Sequence, residues 1–275
     1  MGLFSFLRSL RPRSAPAPAA LTNPDSVAFT CNLCGTPHAQ VPYAQVSNRE
    51  CQTCTHCHSS LRMRSLVHAL SMELFGRSIA LKDFPADPGI RALGMSDWEG
   101  YAHTLAARFA YTNTYYHQPP HLDITDVPAH LLGQHRFLIS SDVFEHIPLF
   151  GLSKAFHNAR ALLAPGGFFL FSVPFTKTGT TQEHFPRLHD FRIVEEDGQP
   201  VLYNTTATGE QERFTHLVFH GGGGATLEMR MFSEPDLHRH LADAGFRSVQ
   251  VMDVNVPEAG ILWPPGSSVP IIARV

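Results

Sequence analysis

An α/β fold is predicted from about residue 89 onward: a largely parallel sheet with helices on both faces. Two observations predict it. Apolar runs of strand length alternate with runs of helical period. Gly/Pro punctuation, such as Pro165-Gly166-Gly167, separates them at short intervals. A third observation sets the front of the chain apart. All five cysteines fall between Cys31 and Cys57, and the remainder has none.

Residues 1–30 read as a disordered Ala/Pro-rich tail. A sharper alternative is a short amphipathic segment using Leu3, Phe4, Phe6, Leu7 and Leu10. Residues 31–60 form a zinc-ribbon-like module. Cys31-x2-Cys34 supplies one thiol pair, and either Cys51/Cys54 or Cys54/Cys57 supplies the second. Both spacings suit a tetrahedral four-cysteine zinc site. The preferred set is Cys31, Cys34, Cys54 and Cys57, with Cys51 spare and His58 a remote substitute. Such a closed site has no open position for water, so its zinc is structural. Clustered thiols fit a metal site in a reducing cytosol better than a disulfide framework, so a cytoplasmic location is expected.

The larger unit, 61–275 by its boundaries, opens with a helix over 61–77. Met63, Leu66, Val67, Leu70 and Leu74 share one face, flanked by Arg62 and Arg64. "GIRALGM" is a strand, and 97–108 is a helix. Ser96-x-x-Glu99 has the spacing of a capping box for that helix. "FAYTNTYY" and "FLISSDV" are strands, and "LSKAFHNARALLA" is a helix. "FFLFSVPF" is a buried strand. "EPDLHRHLADAGF" is a helix with Ser233 as N-cap and Asp236 three residues on. "SVQVMDV" and "VPIIARV" close the sheet. Residues 176–232 break the rhythm as a β-rich insertion. It holds a hairpin through Asp197-Gly198 and the run Gly221–Gly224. Placed after a central strand, it should lie over the sheet's carboxyl edge, where open α/β folds bind ligands.

Composition bounds the function. The chain is 43% hydrophobic and 16% charged, which suits a globular protein. Net charge is −3 with no Lys/Arg run, so a nucleic-acid partner is not favoured. No apolar run has the length of a membrane span.

The order "ALGMSDWEG", "HLDITDVP", "RFLISSDVFEHI", "ALLAPGGFFLFSVPF" and "LADAGF" resembles the class I S-adenosylmethionine-dependent methyltransferase family. Asp123-Ile124 matches the family's acidic-apolar pair. Asp142 to His146 matches its "D-V-L-E-H" type strand end, and Leu163 to Gly167 its "L-x-P-G-G". The cysteine segment followed by "SSLRMR" is similar to a zinc-ribbon preface of some members. The resemblance covers roughly 31–175 and 232–275. It implies a Rossmann-like, seven-stranded, mostly parallel sheet and S-adenosylmethionine as cofactor. Gly94, Met95, Ser96 and Asp97 would lie beside the methionine part. Asp123 would accept from the adenine amino group, with Ile124 on the ring. Ser140, Ser141 and Asp142 would line the pocket. Where members grip the ribose with an acid, the chain offers Tyr115, Tyr116 and His117, with Tyr116 the expected contact.

Methyl transfer needs alignment and a dry pocket, and a base only if the acceptor must lose a proton. His146 is the candidate base; its alternative is a histidine that holds the loop after the strand. Asp142, Glu145 and His146 could instead hold a divalent ion. His184, His189, His216 and His220 are scattered and read as surface or loop residues. Glu228 and Arg230 are candidate acceptor contacts or surface ion pairs. The expected activity is methyl transfer to a small polar acceptor, with a sugar or glycan-linked group among the candidates. The alternatives are an RNA-modifying methyltransferase using Arg62 and Arg64 on phosphates, and a non-enzymatic interaction protein.

Overall fold

The computed structural model describes residues 25–219 and 226–275. The amphipathic segment proposed near the N-terminus and the Gly221–Gly224 run, with His220, lie outside them.

The chain begins with an antiparallel hairpin, β1 (Ser26–Thr30) and β2 (Pro37–Pro42). Residues 26–30, expected to be disordered, are thus a strand. Val27 and Phe29 alternate inward along β1 and belong to the core. Cys31 and Cys34 lie in the turn between β1 and β2, and a single turn, α1 (Tyr43–Val46), with the second cysteine loop leads into α2 (Leu61–Phe75). Gly76 ends α2 in the left-handed conformation that a side chain resists (φ 67°).

The expected alternation then follows. β3 (Asp87–Met95) leads to α3 (Glu99–Arg108) and β4 (Phe109–Thr114). Next come β5 (His135–Ser141), α4 (Leu149–Leu162) and β6 (Leu163–Ser172). The insertion contributes β7 (Phe175–Thr176), β8 (Gln182–Glu183), β9 (Asp190–Glu196), β10 (Gln199–Thr205) and β11 (Gln211–Phe214). β12 (Arg230–Ser233) feeds α5 (Glu234–Asp243), and β13 (Ser248–Val251) and β14 (Ile271–Arg274) close the sheet.

The main sheet has six strands in the order β13-β14-β6-β5-β3-β4. β4, β3, β5 and β6 run parallel, and β14 runs antiparallel to β6 and β13. The expected class of sheet is present with six strands rather than seven. Beyond β4 a single parallel bridge, Tyr115 to His121, stands where another strand would extend the edge. The segment 116–120 carries Pro119 and Pro120, which lack ladder donors, so pairing stops there.

Strand period two sorts the sheet residues to its faces. Ala92, Tyr111, Phe137, Ile139, Phe168 and Leu170 pack with α2, α3 and β1. Leu93, Met95, Leu138, Phe169 and Phe171 pack with α4 and α5. Phe168 to Phe171 are all fully buried, which is why "FFLF" shows no alternation. Each contributes about 1.5–3 kcal/mol of burial.

The hairpin of β9 and β10 forms as expected. Asp197 and Gly198 both have positive φ (49° and 74°), matching the twist of a two-residue turn. β11 adds a third strand that "EQERF" did not announce. Ser233 caps α5, its Oγ accepting from the Asp236 amide. The capping box expected at Ser96 does not form. Ser96 takes a left-handed conformation (φ 56°), its amide donates to the Thr114 carbonyl, and Trp98 occupies the N-cap.

Candidate functional site

The structure brings Cys31, Cys34, Cys54 and Cys57 together, with all four sulfurs within 4.8 Å of one another. Cys31 to Cys57 and Cys34 to Cys54 are each 3.6 Å. Thiolates at about 2.3 Å from one tetrahedral zinc would lie about 3.8 Å apart, so the donor set fits that ion. Neither Cys51 nor His58 belongs to the set. A hydrogen bond from Cys57 pulls Cys31 down to about 4, and the same bond pushes Cys57 up. Arg64 lies beside the site and is fully buried. It donates to the carbonyls of Ser59 (2.8 Å) and Gly260 (3.0 Å) and stacks over Phe29. Burial lowers its pKa, and the cysteine thiolates oppose that shift. A four-thiolate zinc carries two net negative charges, and Arg64 is a buried cation placed to offset them. It is therefore not an RNA-facing group.

Four parallel strands end at one edge, at Met95, Thr114, Ser141 and Ser172. After β4 at the far side, the chain returns to place β5 on the opposite flank of β3. The gap between β3 and β5 is thus the topological switch point of the sheet, the place where open α/β folds receive ligands. Met95 pairs with Ser140 across it. The Ser140 hydroxyl is fully buried with no hydrogen-bond partner among the described residues.

The turn after β3 is built around Asp97. It is 3% exposed and accepts from the phenols of Tyr101 (2.7 Å) and Tyr111. Burial raises its pKa to about 6, against the opposing pull of the two tyrosine bonds. A Cβ on Gly94 would strike the Tyr111 hydroxyl and the Asp97 carboxylate. The single glycine of the turn is therefore explained by packing inside the chain. Asp97 points into the protein, and the Ser96 amide is spent on the Thr114 carbonyl (2.7 Å).

On the β5 side, Asp142 also adopts positive φ (55°). Its carboxylate forms a two-pronged pair with Arg49, both distances 2.8 Å, and accepts from Ser172 Oγ (2.9 Å). Burial raises its pKa, but Arg49 and Arg62 outweigh burial and hold it below the usual carboxylate range. Arg62 donates to Ser141 Oγ (2.9 Å) and to Glu50 (2.8 Å). The cysteine module and α2 thus reach across the carboxyl edge. Sequence reasoning missed Arg49 and Glu50. They are two charges in a short loop; the partner of Arg49, Asp142, lies 93 residues away, and Glu50 pairs with Arg49 and with Arg62, 12 residues on. Between α1 and the loop 264–268 the same edge opens as a cleft of about 720 Å³, bordered by Arg49.

The other expected contacts, Tyr116, Asp123 and Ile124, lie in the connection between β4 and β5. Asp123 closes a local turn, its carboxylate accepting from the amide and hydroxyl of Thr125, both 2.8 Å. Ile124 is buried in the same cluster as Met95. Tyr116 follows β4, 58% exposed, against the rings of His117 and His121. Glu99, at the start of α3, accepts from the Tyr115 phenol and so places an acid beside the end of β4.

His146 follows β5 in a tight turn. Its Nδ1 donates to the Leu227 carbonyl at 3.0 Å, and its Nε2 lies 3.9 Å from Glu145. The insertion thereby holds the loop after β5. Arg230 does most of this. It is fully buried and donates to Glu183 (2.7 Å) and to the carbonyls of Phe144 (3.0 Å) and Ile147 (2.6 Å). Arg230 is therefore a buried tie rather than a surface ion pair or an acceptor contact. Among the described residues, only the four cysteines gather in a metal-holding group. No helix among those residues is long and apolar enough to cross a membrane.

No family model matches this chain, and no curated protein matches it. Solved structures do. One is a 1,6-didemethyltoxoflavin-N1-methyltransferase of Burkholderia thailandensis with bound S-adenosylhomocysteine. It is 15% identical, with 76% of each chain covered and a TM-score of 0.41. A second is an amino pentose methyltransferase of Micromonospora echinaspora, bound to S-adenosylmethionine. It is 14% identical over 78% of this chain and 92% of that one, with a TM-score of 0.41. A third is a sugar N-methyltransferase of a Streptoalloteichus species. It is 14% identical over 76% and 84%, with a TM-score of 0.40.

Proposed function

We propose that this chain is an S-adenosylmethionine-dependent methyltransferase acting on a small polar acceptor, with a structural zinc in its N-terminal module. The observation that supports the reading is the switch point itself. Met95 and Ser140 meet there, with a buried hydroxyl that has no hydrogen-bond partner among the described residues between two strand ends. That is the edge where the family's motif residues fall in sequence order. The cofactor, when bound, supplies the electrophilic methyl group. Ser140 and Ser141 line the pocket for its polar end, Tyr116 meets its ribose, and Asp123 and Ile124 meet its adenine. His146, held after β5 by its Nδ1 bond to the Leu227 carbonyl, is the side chain proposed to take a proton from a hydroxyl or amine acceptor. A sugar or glycan-linked group is the acceptor class in keeping with the hydroxyl-rich cleft beside Arg49.

Calorimetric titration of the zinc-loaded protein with S-adenosylhomocysteine tests this reading. Micromolar binding that Ser140→Val weakens is expected. No heat at millimolar ligand rejects it.

A further inference from the structure

Four charges meet at the carboxyl edge: Arg49, Glu50, Arg62 and Asp142. They form one connected cluster with no net charge. Its two halves differ. Arg49 spends all five N–H donors: Nε on the Ser268 carbonyl, Nη1 on Glu50 and Asp142, Nη2 on Asp142 and Ser172. It ties the cysteine module, the sheet and the C-terminal loop, and it is a fixed strut. Arg62 spends its donors only on Glu50 and Ser141. Glu50 is half exposed, with a side-chain exposure of 52%. The Arg62 side chain is mostly covered, at 22% exposed, so Glu50 is the solvent-facing partner of this pair. The pair stands over Ser141, at the strand end beside the switch point.

A neutral pair of opposite charges, one carried by a planar guanidinium, complements a zwitterion. The carboxylate of an α-amino acid can take Arg62 from Glu50, and its ammonium can take Glu50 in exchange. Every charge stays paired and no desolvated ion is left over. We infer that Arg62 and Glu50 are the receptor for the α-amino-acid end of the cofactor. This rests on the methyltransferase reading above and deepens it. The cysteine module then builds part of the cofactor site instead of standing apart from it.

The test compares two ligands on the zinc-loaded full chain. S-adenosylhomocysteine carries the amino-acid end; 5′-methylthioadenosine lacks it. Arg62→Gln should weaken S-adenosylhomocysteine by roughly 10–100-fold, the range for losing one charge-assisted hydrogen-bond set. It should leave 5′-methylthioadenosine within about 2-fold, the scatter of substitutions away from a contact. Arg62→Lys should recover part of the loss, and Glu50→Gln should lose less than Arg62→Gln. Zinc content and the thermal midpoint report whether each variant folds. An equal loss for both ligands, or no loss for S-adenosylhomocysteine, overturns the inference. Wild-type protein that binds neither ligand instead overturns the methyltransferase reading.

Discussion

Replacing Gly94 by alanine tests whether the glycine after β3 serves packing or ligand approach. The added Cβ would fall inside the contact shells of the Tyr111 hydroxyl and the Asp97 carboxylate, and 2.8 Å from Tyr111 Cζ. Tyr111 is 7% exposed, so its ring has little room to move. Forcing a methyl into a packed site costs about 1–3 kcal/mol. Displacing the phenol also removes a charge-assisted hydrogen bond from a buried carboxylate, worth about 1.5–3 kcal/mol. Gly94→Ala should therefore destabilise the chain by about 3–5 kcal/mol in urea unfolding, without ligand present. Pairing it with Tyr111→Phe removes the hydroxyl but leaves Cζ in the way. The double variant should then recover part of the clash, with a coupling of about 1–2 kcal/mol. An apo stability within about 0.5 kcal/mol of wild type would refute this reasoning. It would mean that the glycine leaves room for a ligand alone.

Three further outcomes follow from the same structure. Metal analysis should give one zinc per chain in wild type and in Cys51→Ser, and none in Cys57→Ser, because only Cys57 reaches the other three sulfurs. Asp97 has its pKa raised in the folded chain to about 6, so its contribution to stability is present below about pH 4 and lost as pH rises through 6. Asp97→Asn should remove that loss, about 3 kcal/mol for a shift of about two pH units, and urea midpoints between pH 4 and 7 that fall equally in both proteins would contradict it. Arg230→Met should cost about 3–5 kcal/mol and speed amide exchange across 144–147, since Glu183 and two carbonyls lose a buried cation; a cost below about 1 kcal/mol would show that the insertion does not hold this loop.

The fold was legible where local chemistry decides structure. "FFLF" reads as a buried strand because four adjacent apolar residues fit a sheet covered on both faces. Asp197-Gly198 reads as a tight turn because few other pairs accept two positive φ values. Cys31-x2-Cys34 and Cys54-x2-Cys57 read as a metal site because each pair sits on one tight turn. The rest depended on partners far along the chain. Ser96-x-x-Glu99 has a capping spacing, yet Tyr101 and Tyr111 draw Asp97 inward and the turn goes left-handed. Arg62 and Arg64 look alike in sequence. One helix position faces the carboxyl edge and the other the thiol cluster, so their roles diverge. Asp142 stands out in the sequence within "SDVFEH", but its partner Arg49 carries no local signal at all. The glycine at position 94 was legible as special for a reason that lay in Tyr111.

The central claim is a ligand site at the switch between β3 and β5. A crystal structure of the zinc-loaded chain grown with millimolar S-adenosylhomocysteine tests it most directly. The account predicts ligand density over Met95, Ser140 and Ser141, with its amino-acid end at Arg62 and Glu50. Density only in the cleft lined by Tyr43, Asn48, Arg49 and Ser268, or none in a fully formed lattice, would contradict it.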